Sequence, residues 1–213
     1  NCTMNSGSRS WLYMAINWGI STFAPLAASC AGFNCAPIMF HRFGTGEDCG
    51  FLQASHGQTV KIFKSWDLVT WELVGDAIDS SSPLVNDAIL FRPAVIYNPK
   101  TERYVLWINR IPRGYSVWDG YTRGGFVVAE ATEPAGPFHL LAKPPAMAFG
   151  GGGDFALLAD GARAWIAYGS WDNGFRTEGI HAYLPAELNA GHQIAIQPLD
   201  ETFTDVDATV APN

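Results

Sequence analysis

Asp154 follows four consecutive glycines, Gly150 to Gly153, and opens a short apolar run, Phe155-Ala156-Leu157-Leu158. A carboxylate there can cap a turn. It can also stand at a strand mouth, where the glycines let a ligand come close to the backbone. Arg92 lies directly before Pro93. Its planar fork of donors suits hydroxyl groups or a carboxylate, on a ligand or in a salt bridge between packed elements. Trp18, Tyr115, Trp118 and Trp171 lie near loop mouths, and Asp172 follows Trp171. Rings in such places can stack on a ligand's apolar faces, whereas Trp107 and Trp165, inside apolar runs, read as core. His41, His56, His139, His181 and His192 are scattered without ligand spacing, and no G-x-S-x-G elbow is present, so neither a zinc centre nor a serine-hydrolase elbow is read. Cys2, Cys30, Cys35 and Cys49 cluster near the start, with no C-x-x-C pair. They read as two disulfides pinning a long insertion, with free buried thiols as the alternative. Asn1-Cys2-Thr3 is a glycosylation triplet, which agrees with a secreted protein.

The elements that would hold these groups are strands. The chain has 213 residues, 48% apolar and 15% charged, with 22 Gly and 13 Pro. That is turn-rich globular material, with too little charge for a disordered chain. A net charge of −7 argues against a nucleic-acid partner, and no apolar run is long enough to span a bilayer as a helix. Short β-rich runs recur: Trp11–Ile16, Thr59–Phe63, Trp71–Val74, Ala94–Tyr97, Tyr104–Ile108, Gly125–Ala129, Phe138–Leu141, Phe155–Leu158, Ala164–Tyr168, Ile180–Tyr183 and Gln193–Ile196. Turn signals at Asn98–Arg103 and at Ala159–Arg163, with its Asp-Gly pair, join the first two strands of two groups as hairpins. Second-strand anchors at Tyr104 and Ala164, and third-strand anchors at Phe126 and Ile180, give a period of roughly 50–60 residues, the spacing of β-propeller blades. The fold class is therefore all-β, a β-propeller with about three four-stranded blades. They span residues 8–80 (with a Cys-rich insertion at 19–56), 88–145 and 150–205. A β-sandwich leaves the repeated spacing unexplained. The chain opens on Asn1 rather than Met and closes on a loop-like stretch from Asp205 to Asn213, so it is read as a fragment of a longer protein.

Four stretches carry a resemblance. Ser65-Trp66-Asp67-Leu68-Val69-Thr70-Trp71 resembles the "S-x-D-L-x-x-W" turn of glycoside hydrolase family 43. In that turn Asp67 would close an Asx-type loop, Leu68 would tuck beneath it and Trp71 would pack the next strand. Arg92-Pro93-Ala94-Val95-Ile96-Tyr97-Asn98 followed by Tyr104-Val105-Leu106-Trp107 is similar to the "R-P-x-V-x-Y-N…Y-V-x-W" stretch of the family's exo-β-1,3-galactanase branch. Val128 to Phe138 resembles its "V-A-x-A-x-x-P-x-G-P-F" turn, and Gly153 to Gly161 its "R-D-x-x-L-F-x-D-x-D-G" stretch. The matches occur in the family's order, over about residues 58–170.

The resemblance implies a five-bladed propeller that cleaves glycosidic bonds on its axis with three carboxyl groups: a base, an acid and a carboxylate that orients the acid and raises its pKa. Inversion would place acid and base roughly 6.5–9.5 Å apart, with water between them. Asp154 matches the pKa-tuning carboxylate, and Arg92, Trp118, Trp171 and Asp172 become saccharide-binding candidates. The implied function is inverting hydrolysis of a plant or algal-type polysaccharide such as β-1,3-galactan, by a secreted protein that needs no cofactor. Some relatives hold a structural calcium, and nothing in this sequence points to one. The alternative is an inactive propeller that binds carbohydrate or protein. Departures favour it: Phe91 stands where the galactanase branch carries Glu, and no "H-x-H-D-G" stretch precedes Trp11. Asp87 would replace the missing Glu only through a loop that bends back, and Glu201 lacks the context of the family's general acid. A β-fructosidase of family 32 would call for "N-D-P-N-G", which is absent.

Overall fold

In the computed structural model, residues 40–45, 59–115, 124–149, 154–170 and 193–211 are described. They form three antiparallel sheets. The first contains β1 (Phe40–Thr45), β2 (Val60–Ser65) and β3 (Glu72–Asp76), in that order. The second runs β4 (Ile89–Asn98), β5 (Arg103–Ile111), β6 (Gly125–Ala131) and β7 (His139–Leu140). The third is ordered β10 (Gln193–Pro198), β9 (Arg163–Ser170), β8 (Phe155–Asp160). Each sheet places its first strand at an edge, and these edges meet in turn, with β1 packed by β4 and β4 by β8. The sheets thus fan from a shared line of inner strands, the arrangement of a partial β-propeller and not of two face-packed sheets.

The middle sheet is covered on both faces, which explains its nearly continuous apolar strands. One layer joins Phe43, Val60 and Ile62 of the first sheet to Leu90, Val95, Leu106, Ile108 and Val127 of the second. The other joins Ile96, Val105, Trp107, Phe126 and Val128 to Ala164, Ile166, Tyr168 and Ala195 of the third. Phe126 meets Trp107, Phe155 and Tyr168 edge-on, with centroids 5.9, 5.0 and 6.0 Å away. The turn before β7 ties the first two sheets together. The Phe138 N–H donates to the Ala77 carbonyl at 3.0 Å, and its ring meets Phe43 edge-on at 5.6 Å.

The Ser65–Trp71 turn closes through side chains, as its residue types require. Asp67 Oδ1 accepts the N–H groups of Val69 and Thr70 at 2.8 and 2.7 Å, while Ser65 Oγ accepts those of Asp67 and Leu68 at 3.2 and 2.8 Å. The Thr70 and Val69 N–H groups, and after them the Ser65 hydroxyl at 3.0 Å, hold the Asp67 carboxyl down at about 2, below its ordinary 3.8. Leu68 departs from expectation. Its backbone is left-handed (φ 62°), and the side chain points outward and is exposed instead of tucking beneath the turn.

Three further expectations need correction. Phe40–Thr45 is a strand paired to β2, within the segment read as insertion. In the third sheet β9 is bonded to β8 on one side and β10 on the other, so its third-strand partner is Gln193–Pro198 and not Ile180–Tyr183. Trp165 is half-buried on the outer face of that sheet. The two-residue period sends Ala164, Ile166 and Tyr168 inward and Trp165 the other way, beneath the Arg163 guanidinium at 5.3 Å. The four cysteines, Trp11–Ile16 and Ile180–Tyr183 lie outside the described residues.

Candidate active site at the heads of the inner strands

Asp154 stands immediately before β8, and its carbonyl accepts the Gly169 N–H at 2.8 Å, which pins it to the neighbouring strand. The segment leading to the glycine run is anchored from beneath. Buried Gln197 Oε1 accepts the Tyr168 hydroxyl at 2.7 Å and the Ala148 N–H at 3.2 Å, and Tyr168 Oη in turn accepts the Phe149 N–H at 3.3 Å. A buried polar pair satisfied in this way is rigid, and it fixes the backbone at Ala148 and Phe149.

Arg92 comes to this point from the second sheet. Its Nη2 lies 2.7 Å from Asp154 Oδ1. The pair joins the heads of β4 and β8, two strands that touch along the inner edge. The local backbone makes this reach available. The β4–β5 register breaks between Phe91 and Ala94, and Arg92, in the break, is left-handed with φ 52°. A residue before proline ordinarily stays extended. Holding a bulky side chain left-handed costs about 1–3 kcal/mol, whereas a partly exposed ion pair returns only about 0.2–1 kcal/mol. The contact does not offset its own strain, so β4 and its packing impose the geometry.

Two further carboxylates considered from the sequence are ion-paired. Asp87 is engaged by Arg113, whose Nε is 2.8 Å from Asp87 Oδ2. Glu201 pairs with Lys100, just past the far end of β4 and so away from Arg92. Phe91 is buried with Ile89 and Ile111 in a small apolar cluster, so no carboxylate enters the site from that position. Opposite Phe91 in register lies Asn109, fully buried. The sequence reading passed it over; its one signal is an amide that interrupts the apolar run of β5. Tyr115 is exposed just beyond β5. Trp18, Trp118, Trp171 and Asp172 lie outside the described residues. The structure therefore joins Arg92 and Asp154. Among the described residues no group of three His, Cys, Asp or Glu side chains could hold a metal ion.

Residues 40–211 match the sequence model of the glycosyl hydrolases family 43. No curated protein matches the chain. Among solved structures, an exo-β-1,3-galactanase from Phanerochaete chrysosporium with galactose is 22% identical, with 92% of this chain covering 38% of that one at a TM-score of 0.59. An exo-β-1,3-galactanase from Clostridium thermocellum is 19% identical (82% of this chain, 34% of that one, TM-score 0.55). An endo-arabinase from Bacteroides thetaiotaomicron is 16% identical (92% and 55%, TM-score 0.57). At these identities the likeness is one of fold. The chain spans less than two thirds of the length of each.

Proposed function

Because the chain belongs to glycosyl hydrolase family 43, we propose that the complete protein hydrolyses a β-1,3-galactan-type polysaccharide with inversion, using Asp154 to tune its general acid. The observation that carries this reading is the place of Asp154: at the head of an inner strand, tied across the sheet boundary to Arg92 and still more than half exposed. Inner-strand heads are where a propeller can bring carboxyl groups from different sheets to one saccharide. Two carboxyl groups and a water suffice for the chemistry, with no cofactor. A negative charge beside the acid disfavours its ionisation and keeps it ready to protonate the leaving oxygen. Trp118 and Trp171 would stack on sugar faces and Asp172 would accept from sugar hydroxyls. A polymeric wall or exudate substrate fits a secreted protein.

The test is hydrolysis of β-1,3-galactan and aryl β-galactosides by the complete protein, with Asp154→Asn as control. The variant should lose about 10²–10⁴-fold in turnover, the usual contribution of a group serving proton transfer. The first product released should be the α-anomer, read by proton NMR. A variant as active as wild type refutes the assignment of Asp154, and a β-anomer refutes inversion. One observation favours a second reading, a propeller that binds saccharide without cleaving it: buried Phe91 fills the position where the resembling motif has Glu. Calorimetric binding of galacto-oligosaccharides with no turnover would establish it.

A further inference from the structure

Taking Asp154 as the tuning carboxylate of that reaction, we propose that Arg92 is its positioning residue. The guanidinium fixes the Asp154 carboxylate in orientation and does not itself hold the saccharide. Three observations point this way. The pair is made across two sheets, by Nη2 on β4 and Oδ1 at the head of β8, 2.7 Å apart. The Arg92 side chain is 20% exposed and that of Asp154 55%, so the carboxylate stands forward and the guanidinium behind it.

The third observation is the break in β4. In an unbroken strand Arg92 would share a face with Leu90, two residues earlier. Leu90 belongs to the apolar layer between the first and second sheets, on the side away from β8. The left-handed turn at Arg92, in the register break between Phe91 and Ala94, takes the side chain out of that layer and brings it to Asp154. The strand is distorted at the one residue that reaches the carboxylate. A planar, five-donor fork anchored in packed backbone holds one carboxylate oxygen in a set direction and leaves the side chain's outer surface for the group it tunes.

The experiment uses the complete protein, β-1,3-galacto-oligosaccharides as substrate, and the variants Arg92→Met, Arg92→Lys, Asp154→Asn and the double variant Arg92→Met/Asp154→Asn. Arg92→Met should lower kcat about a hundredfold while KM stays within about twofold, as for loss of positioning alone. Guanidinium ion added to the assay should restore part of that activity. The double variant should be no slower than Asp154→Asn, because the two residues act as one unit. Arg92→Lys keeps the cation and the fold; it should lose kcat at unchanged KM and Tm, and it carries the test if Arg92→Met does not fold. A raised KM at unchanged kcat would make Arg92 a saccharide contact and overturn the proposal. So would a lowered Tm with unchanged kcat per folded molecule, or losses that add in the double variant. Asp154→Asn slow beside a normal Arg92→Met overturns this inference alone. Asp154→Asn equal to wild type, or a complete protein without turnover, overturns the reading of Asp154 and this inference with it.

Discussion

His41 is buried on β1, directly across from Lys64 in the β1–β2 register. Burial first, and the Lys64 charge second, lower its pKa below the ordinary 6.5. In the unfolded chain the imidazole takes up its proton near that value, and the folded protein resists doing so. The unfolded state therefore binds more protons as pH falls, and linkage makes folding less favourable. The contribution of neutral His41 is fully present above about pH 6.5 and is lost as pH drops through the lowered value. Urea denaturation of the chain between pH 7.5 and 5 should show stability falling with acidity. His41→Leu, which cannot be protonated, should flatten that slope. An equally steep slope in the variant would show that another group is responsible.

Trp107 connects elements. Its ring is buried in the layer between the second and third sheets, and its Nε1 donates to the Phe203 carbonyl at 2.9 Å. Phe203 is itself buried, in the segment after β10, which Asn98 also holds through the Glu201 carbonyl at 2.9 Å. Trp107→Phe keeps much of the apolar contact but leaves that carbonyl buried without its donor, a loss of about 1–3 kcal/mol. Chemical denaturation should show this destabilisation, and hydrogen exchange should quicken at the Leu199–Val206 bridge before it does in β5; unchanged exchange there would mean that the indole does not dock the segment. Trp107 was legible as core because it sits in the apolar run Tyr104–Ile108. The strands of the middle sheet were legible for the same reason. β1 was not, since His41, Arg42 and Gly44 break the apolar pattern, and the strand is held by packing against β2 and β4 more than by its own propensity. The partner of β9 was misread because Ile180–Tyr183 and Gln193–Ile196 are equally β-prone, and pairing is decided at long range. At the site, Asp154 and Arg92 were each recognisable by type and neighbours. Their contact was not, because it depends on a left-handed pre-proline backbone that residue type argues against.

For the molecule as a whole, each end sheet of the fan turns one face away from the other described sheets, and on the third sheet that face is apolar. In the third sheet the two-residue period gathers Ala156, Leu158, Trp165, Ala167, Ile194 and Ile196 on the side away from the second sheet, as the pairings of Leu158 with Trp165 and of Ile196 with Ala167 show. Leu158 is 65% exposed, Ile194 68% and Ile196 46%. A contiguous apolar patch of this kind on a β-sheet is a surface that another layer covers or that drives association. In a propeller the natural cover is a further sheet of the same fan. The two situations predict opposite effects of one substitution. In the 213-residue chain studied by itself, Leu158→Lys together with Ile196→Lys should raise solubility and weaken binding of a hydrophobic dye, since charge replaces exposed apolar surface. In the complete protein, with the face covered, the same pair should lower Tm, because each lysine would have to be buried without a partner. An unchanged Tm in the complete protein would show that this face meets solvent there, and that the fan does not continue on that side.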